Sequence, residues 1–136
     1  MTRILVIDDD FSVGVAIQTL LGHQGCDVVL AQSGHHGTEA FETSRFDTVM
    51  VDLFMPGMDG LETIAGIRQR AATVPIVAMS GFRFCDASGS SPDFLDMAAK
   101  LGASYCLRKP FGPQQLMAAI NACLEQTVSR DRAVGA

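Results

Sequence analysis

Four short apolar runs in this chain each end on residues able to do chemistry. Residues 4–7 run into Asp8, Asp9 and Asp10, residues 48–51 into Asp52, residues 74–79 into Ser80, and residues 105–107 into Arg108 and Lys109. In a parallel α/β sheet, ligands and reactions sit outside the carboxyl ends of the strands, so these four ends should meet in one cleft. Carboxylates, a hydroxyl and an ammonium gathered there point to metal-assisted phosphoryl chemistry. The carboxylates offer a hard cation its oxygens, and the ammonium and hydroxyl can face charged phosphoryl oxygens.

The elements that must position these residues alternate along the chain. Residues 4–8 form a continuous apolar, branched run, as expected of a central strand buried on both faces. Residues 11–23 follow with a helical repeat of Val13, Ala16, Ile17, Leu20 and Leu21 that fades at Gly22 and Gly25. A second strand is expected over 28–31. Ser33 can then cap a helix that carries Ala40 and Phe41 inward and is weakened by Gly34 and Gly37. Residues 48–53 give a third strand, 55–60 dense turn chemistry, and Leu61, Ile64 and Ile67 the inner face of a helix. Residues 75–79 give a fourth strand. Phe94, Leu95, Met97, Ala98 and Leu101 make a short helix stopped by Gly102, residues 104–107 a fifth strand, and Pro113 opens a last helix with Leu116, Met117, Ile120 and Leu124 on one face. Strands alternating with helices through right-handed crossovers give a three-layer, doubly wound α/β sheet. One domain is expected over residues 1–126, with 127–136 as a flexible tail.

Composition narrows the function classes. The 136 residues and 48% hydrophobic content suit one core, and the net charge of -5 argues against a nucleic-acid surface. A basic partner fits better. No apolar stretch near the amino end approaches the roughly 20 residues of a membrane span, so a cytoplasmic protein is expected. Cys26, Cys85, Cys106 and Cys123 form no C-x-x-C pair and read as reduced thiols.

Four motifs in order carry a family resemblance: Val6-Ile7-Asp8-Asp9; Asp52 followed by Met55-Pro56-Gly57-Met58-Asp59-Gly60; Met79-Ser80-Gly81; and Lys109-Pro110-Phe111. Together they resemble the receiver domain of two-component response regulators, from about residue 3 to residue 126. The resemblance implies a flavodoxin-like, CheY-like five-stranded parallel sheet of order 2-1-3-4-5, an order that general descriptions of this fold already illustrate with a receiver. It implies Asp52 as phosphoryl acceptor, with Ser80 and Lys109 facing the phosphoryl group. It further implies Mg²⁺ held by Asp9 and Asp52 with the backbone carbonyl of Phe54, Asp8 acting largely through water, and a cis bond at Lys109–Pro110. The implied partners are a sensor histidine kinase or phosphotransfer protein and a downstream protein target, with the domain a monomer or weak homodimer.

The chain departs from that family in three places. Cys106 stands where receivers usually carry an aromatic switch residue, and Tyr105 should point to the opposite face of the strand. The interval from Ser80 to Lys109 is about seven residues longer than usual, the excess falling in a polar loop over 81–92. Phe54 and Phe82 flank the expected phosphoryl pocket, and two bulky rings there would exclude water and slow dephosphorylation.

Plainer roles are expected for other polar residues. Asp10 reads as a helix cap, His35 and His36 as surface residues pointing about 100° apart, and Gly57 and Gly60 as answers to backbone needs. Two other functions compete with the phospho-accepting switch. A pseudo-receiver would bind its partner without phosphorylation. A phosphatase resembling the haloacid dehalogenase superfamily would use Asp8 as nucleophile, but it lacks the late acidic motif, since Glu125 and Asp131 are the only acids after Lys109.

Overall fold

The computed structural model describes residues 1–55, 59–81 and 94–135. Among the described residues, five strands alternate with five helices: β1 Arg3–Ile7, α1 Phe11–Gly22, β2 Asp27–Ala31, α2 Gly34–Thr43, β3 Thr48–Asp52, α3 Gly60–Arg70, β4 Ile76–Ser80, α4 Phe94–Leu101, β5 Tyr105–Arg108 and α5 Pro113–Gly135. All strand pairs are parallel, in the order β2-β1-β3-β4-β5. This is the doubly wound sheet and strand order expected from the sequence.

The alternation of side chains along each strand builds two cores. Leu5, Ile7, Val49, Val51, Ile76 and Ala78 pack with α2, α3 and α4 on one face. Ile4, Val6, Met50, Val77, Met79 and Leu107 pack with Ile17 and Leu21 of α1 and Leu116 and Ile120 of α5 on the other. Full burial of each such side chain contributes about 1.5–3 kcal/mol, so the central strands are the most strongly held part of the fold.

Local chemistry sets the helix ends. The Asp10 carboxylate accepts the Ser12 and Val13 N–H groups at the start of α1, Ser33 accepts the His36 N–H at the start of α2, and Asp59 accepts the Glu62 N–H at the start of α3. Gly102 closes α4 with φ +119°, a conformation that favours glycine. The Arg68 guanidinium ties this turn down, donating to the Gly102 carbonyl (2.9 and 2.7 Å), to the Val74 carbonyl (2.5 Å) and to Ser104 Oγ.

Several details differ from the sequence reading. Gly37 is buried, and a Cβ there would lie 2.3 Å from Ile7 Cδ1, so this glycine lets α2 sit close against the sheet. Helix α5 runs to Gly135, through residues that the sequence assigns to a tail. Residues 127–134 contain neither proline nor glycine, so nothing in them stops the helix even though the apolar repeat has faded. The buried face of α5 is Leu116, Ala119, Ile120 and Cys123, with Met117 and Leu124 at its margin. On α4, Ala98 is buried while Met97 and Leu101 are exposed. The expectations for Pro56, Gly57 and Met58 and for residues 82–93, including Phe82 and Cys85, lie outside the described residues.

Candidate functional site

The strand register lines up the four chemical ends. Asp52 pairs with Met79, and Ser80 pairs with Arg108, so Asp52, Ser80 and Lys109 stand along one edge of the sheet. The Lys109 N–H donates to the Ser80 carbonyl at 2.7 Å, and the Asp8 N–H to the Ala31 carbonyl at 3.0 Å, extending the ladders past the last strand residues. The Lys109–Pro110 bond is cis.

Asp8, Asp52 and Ser80 are buried, while Asp9 is exposed at the mouth. One carboxylate oxygen from each of Asp8, Asp9 and Asp52 lies within 4.8 Å of the others. Lys109 Nζ donates to Asp8 Oδ2 at 2.7 Å and stands 3.6 Å from Asp52 Oδ2. Asp8 Oδ1 accepts the Asp10 N–H at 2.9 Å, and Asp52 Oδ1 accepts the Phe54 N–H at 3.3 Å. The Asp8 carboxylate is thus engaged at both oxygens, whereas Asp9 faces the opening.

Gly60 closes the end of β3 from behind. A Cβ at this position would lie 2.3 Å from both the Asp52 carbonyl oxygen and Leu53 Cα, which are backbone atoms with no freedom to yield. The start of α3 therefore abuts the end of β3, and the Gly60 N–H donates to the Leu53 carbonyl. This agrees with a backbone role for Gly60.

Electrostatics at the site are unfavourable without added positive charge. The Asp52 carboxyl is pushed up to about 7, first by burial and then by the neighbouring Asp8 charge, against the opposing pull of Lys109 and the Phe54 N–H. A divalent cation would relieve that repulsion. The donors fit one: the cluster is made of carboxylate oxygens, as Mg²⁺ and Ca²⁺ prefer, and the spacing of 4.8 Å or less lets one ion reach more than one residue.

A groove of about 630 Å³ leads away from this cluster. Val13, Ala16 and Leu20 of α1 face Pro110 and Phe111 across it, and Asp9, Asp52 and Lys109 close one end. The sequence reading had placed Val13, Ala16 and Leu20 in the apolar repeat of α1 without separating them from the core. Their companions Ile17 and Leu21 are buried, but Ala16 and Leu20 are exposed. An apolar repeat wider than one core face was the available signal. His35 and His36 are exposed on α2, as expected. Cys106 is half-buried against the α2–α4 core while Tyr105 is exposed on the edge strand, consistent with opposite faces.

Comparison with known proteins decides the family. The family model described as "Response regulator receiver domain" matches residues 4–121. The chain belongs to the response regulator receiver family. It is 33% identical over 129 residues to the transcriptional regulatory protein CpxR homolog of Haemophilus influenzae, covering 95% of this chain and 53% of that protein. It is 34% identical over 131 residues to the response regulator MprA of Mycolicibacterium vanbaalenii, covering 96% and 54%. The receiver chain thus spans about half the length of the curated relatives it matches. The crystal structure of a response regulator receiver domain protein from Clostridium thermocellum superposes with a TM-score of 0.83 at 29% identity, covering 93% of this chain and 97% of that one. Among the described residues, no helix of this receiver is long and apolar enough to cross a membrane.

Proposed function

We propose that this receiver accepts a phosphoryl group on Asp52 from a phosphohistidine donor and signals through protein contacts. The observation that carries the reading is the placement of Lys109 Nζ between Asp8 and Asp52 beside an exposed Asp9. In the proposed step, an Asp52 oxygen attacks phosphorus in line, the new O–P bond forms as the N–P bond of the donor breaks, and the imidazole leaves. The carboxylate is the nucleophile, so no general base is needed.

Lys109 and the Ser80 hydroxyl are assigned to the phosphoryl oxygens, where an ammonium and a hydroxyl donor stabilise charge as it shifts. Mg²⁺ bound by Asp9, Asp52 and the Phe54 carbonyl would neutralise the carboxylates and the phosphoryl group. Asp8 is assigned an indirect part through water, because both its oxygens already accept hydrogen bonds. The same engagement counts against Asp8 as the nucleophile of a phosphatase. In the proposal the receiver is not a turnover enzyme but a switch that catalyses its own phosphorylation and dephosphorylation. A sensor kinase or phosphotransfer protein would supply the phosphoryl group, and a downstream protein would read it, in the cytoplasm.

Borohydride reduction tests the assignment, since it converts an aspartyl phosphate to homoserine. After treatment with acetyl phosphate and Mg²⁺, peptide mapping should find homoserine in place of Asp52. Reduction mapped to Asp8 or Asp9 instead would overturn the assignment.

A further inference from the structure

The junction between β1 and α1 contains a residue that the phosphoryl reading leaves unused. Asp10 does three things at once. Its side chain Oδ1 accepts the Ser12 N–H at 3.0 Å and the Val13 N–H at 3.3 Å, its carbonyl accepts the Gly14 N–H at 3.1 Å, and its own N–H donates to Asp8 Oδ1 at 2.9 Å. The backbone at Asp10 is extended, with φ -85° and ψ 104°, as a helix cap requires.

We propose that Asp10 is a positioning residue: by capping α1 it holds its own N–H on Asp8, so that the Asp8 carboxylate is clamped between this N–H and Lys109. The physical link is short. A capping bond fixes the dihedrals of the residue that makes it, and those dihedrals set where its N–H points. Asp8 is almost wholly buried, so the orientation of its carboxylate is set by these two donors rather than by water. Lys109, held on the other Asp8 oxygen, is thereby kept 3.6 Å from Asp52. Asp9 lies between the clamped residue and the capping residue, so its exposed carboxylate is presented from a backbone fixed on both sides. A bland alternative assigns Asp10 only its negative charge, which would draw a cation regardless of the cap.

The inference rests on the proposed metal-dependent reading for its consequence but not for its geometry, and serine separates cap from charge. Serine keeps a capping oxygen without charge, and alanine removes both. In metal-free, ¹⁵N-labelled protein, the amide proton of residue 10 should be downfield and slow to exchange in wild type and in Asp10→Ser. In Asp10→Ala it should move upfield and exchange faster. Mg²⁺ titration of the same samples, at a temperature where all three are folded, should show about tenfold weaker binding in Asp10→Ala. Asp10→Ser should stay within about twofold of wild type. Equal weakening in both variants would assign the effect to charge and overturn the inference, as would an Asp10→Ala amide unchanged from wild type. A wild type that binds no Mg²⁺ would count against the phosphoryl reading alone, because the amide signal still decides the clamp.

Discussion

Lys109 Nζ lies 2.7 Å from Asp8 Oδ2 and 3.6 Å from Asp52 Oδ2, so one ammonium serves two buried carboxylates whose strands are neighbours in the sheet. Removing it takes the ammonium from Asp8 Oδ2 and leaves two buried acids facing each other. Breaking a buried ion pair from one side is costly, and Lys109 retains some solvent contact. Lys109→Met should therefore destabilise the metal-free protein by about 2 kcal/mol in urea denaturation. Phosphorylation of the variant should fall further than its stability explains. A Lys109→Met protein as stable as wild type would show that Asp8 finds another partner.

The raised Asp52 carboxyl gives a defined dependence on pH. Its pKa is about 7 in the folded protein and near the ordinary 3.8 in the unfolded chain. Between those values the folded state keeps a proton that the unfolded state has released. The contribution is thus fully present below pH 3.8 and is lost as pH rises through about 7. The metal-free Tm should fall by roughly 10 °C between about pH 5 and about pH 8 through this group, and Asp52→Asn should flatten that part of the curve. Millimolar Mg²⁺ should restore the Tm at the higher pH. A wild-type slope shared by Asp52→Asn would place the titrating group elsewhere.

Gly37 offers a packing test away from the site. Its absent Cβ would lie 2.3 Å from Ile7 Cδ1 and 2.6 Å from Cγ1, while Ile7 is fully buried. Gly37→Ala should cost about 1–2 kcal/mol, the overpacking exceeding the gain in helix propensity. Ile7→Val removes Cδ1, so the double variant should be less destabilised than the sum of the single changes. Strict additivity in thermal melts would mean that α2 shifts instead of pressing on Ile7.

Thr48 predicts a gain. Its Oγ1, at the start of β3, is buried without a hydrogen-bond partner among the described residues. Thr48→Val replaces the hydroxyl with a methyl of similar size and should be neutral or stabilising by about 1 kcal/mol in chemical denaturation. A loss larger than that would reveal a partner for the hydroxyl.

Strand positions and the chemical ends were legible because both depend on patterns local in sequence. A buried strand reads as a short branched run, and Asp8, Asp52, Ser80 and Lys109 stand where such runs stop. The capping roles of Asp10 and Ser33 were legible for the same reason. What the sequence hid depends on contacts between distant elements. Gly37 reads as a poor helix former until Ile7 is seen beneath it. Arg68 carries no signal of its role in the local sequence, because its acceptors lie 34 and 36 residues away. The groove is hidden likewise, because Ala16 and Leu20 share a repeat with buried Ile17, and Pro110 and Phe111, which line the groove with them, lie far along the chain. The far end of helix α5 is hidden because its apolar signal stops before its backbone does.

The central claim is Mg²⁺-dependent phosphorylation of Asp52, and intact mass tests it most directly. Wild type and Asp52→Asn would be incubated with acetyl phosphate, each with and without Mg²⁺. The account predicts a single phosphoryl adduct on wild type with Mg²⁺ and none on Asp52→Asn. Wild type that binds Mg²⁺ yet gains no adduct, or an adduct that persists in Asp52→Asn, would contradict it.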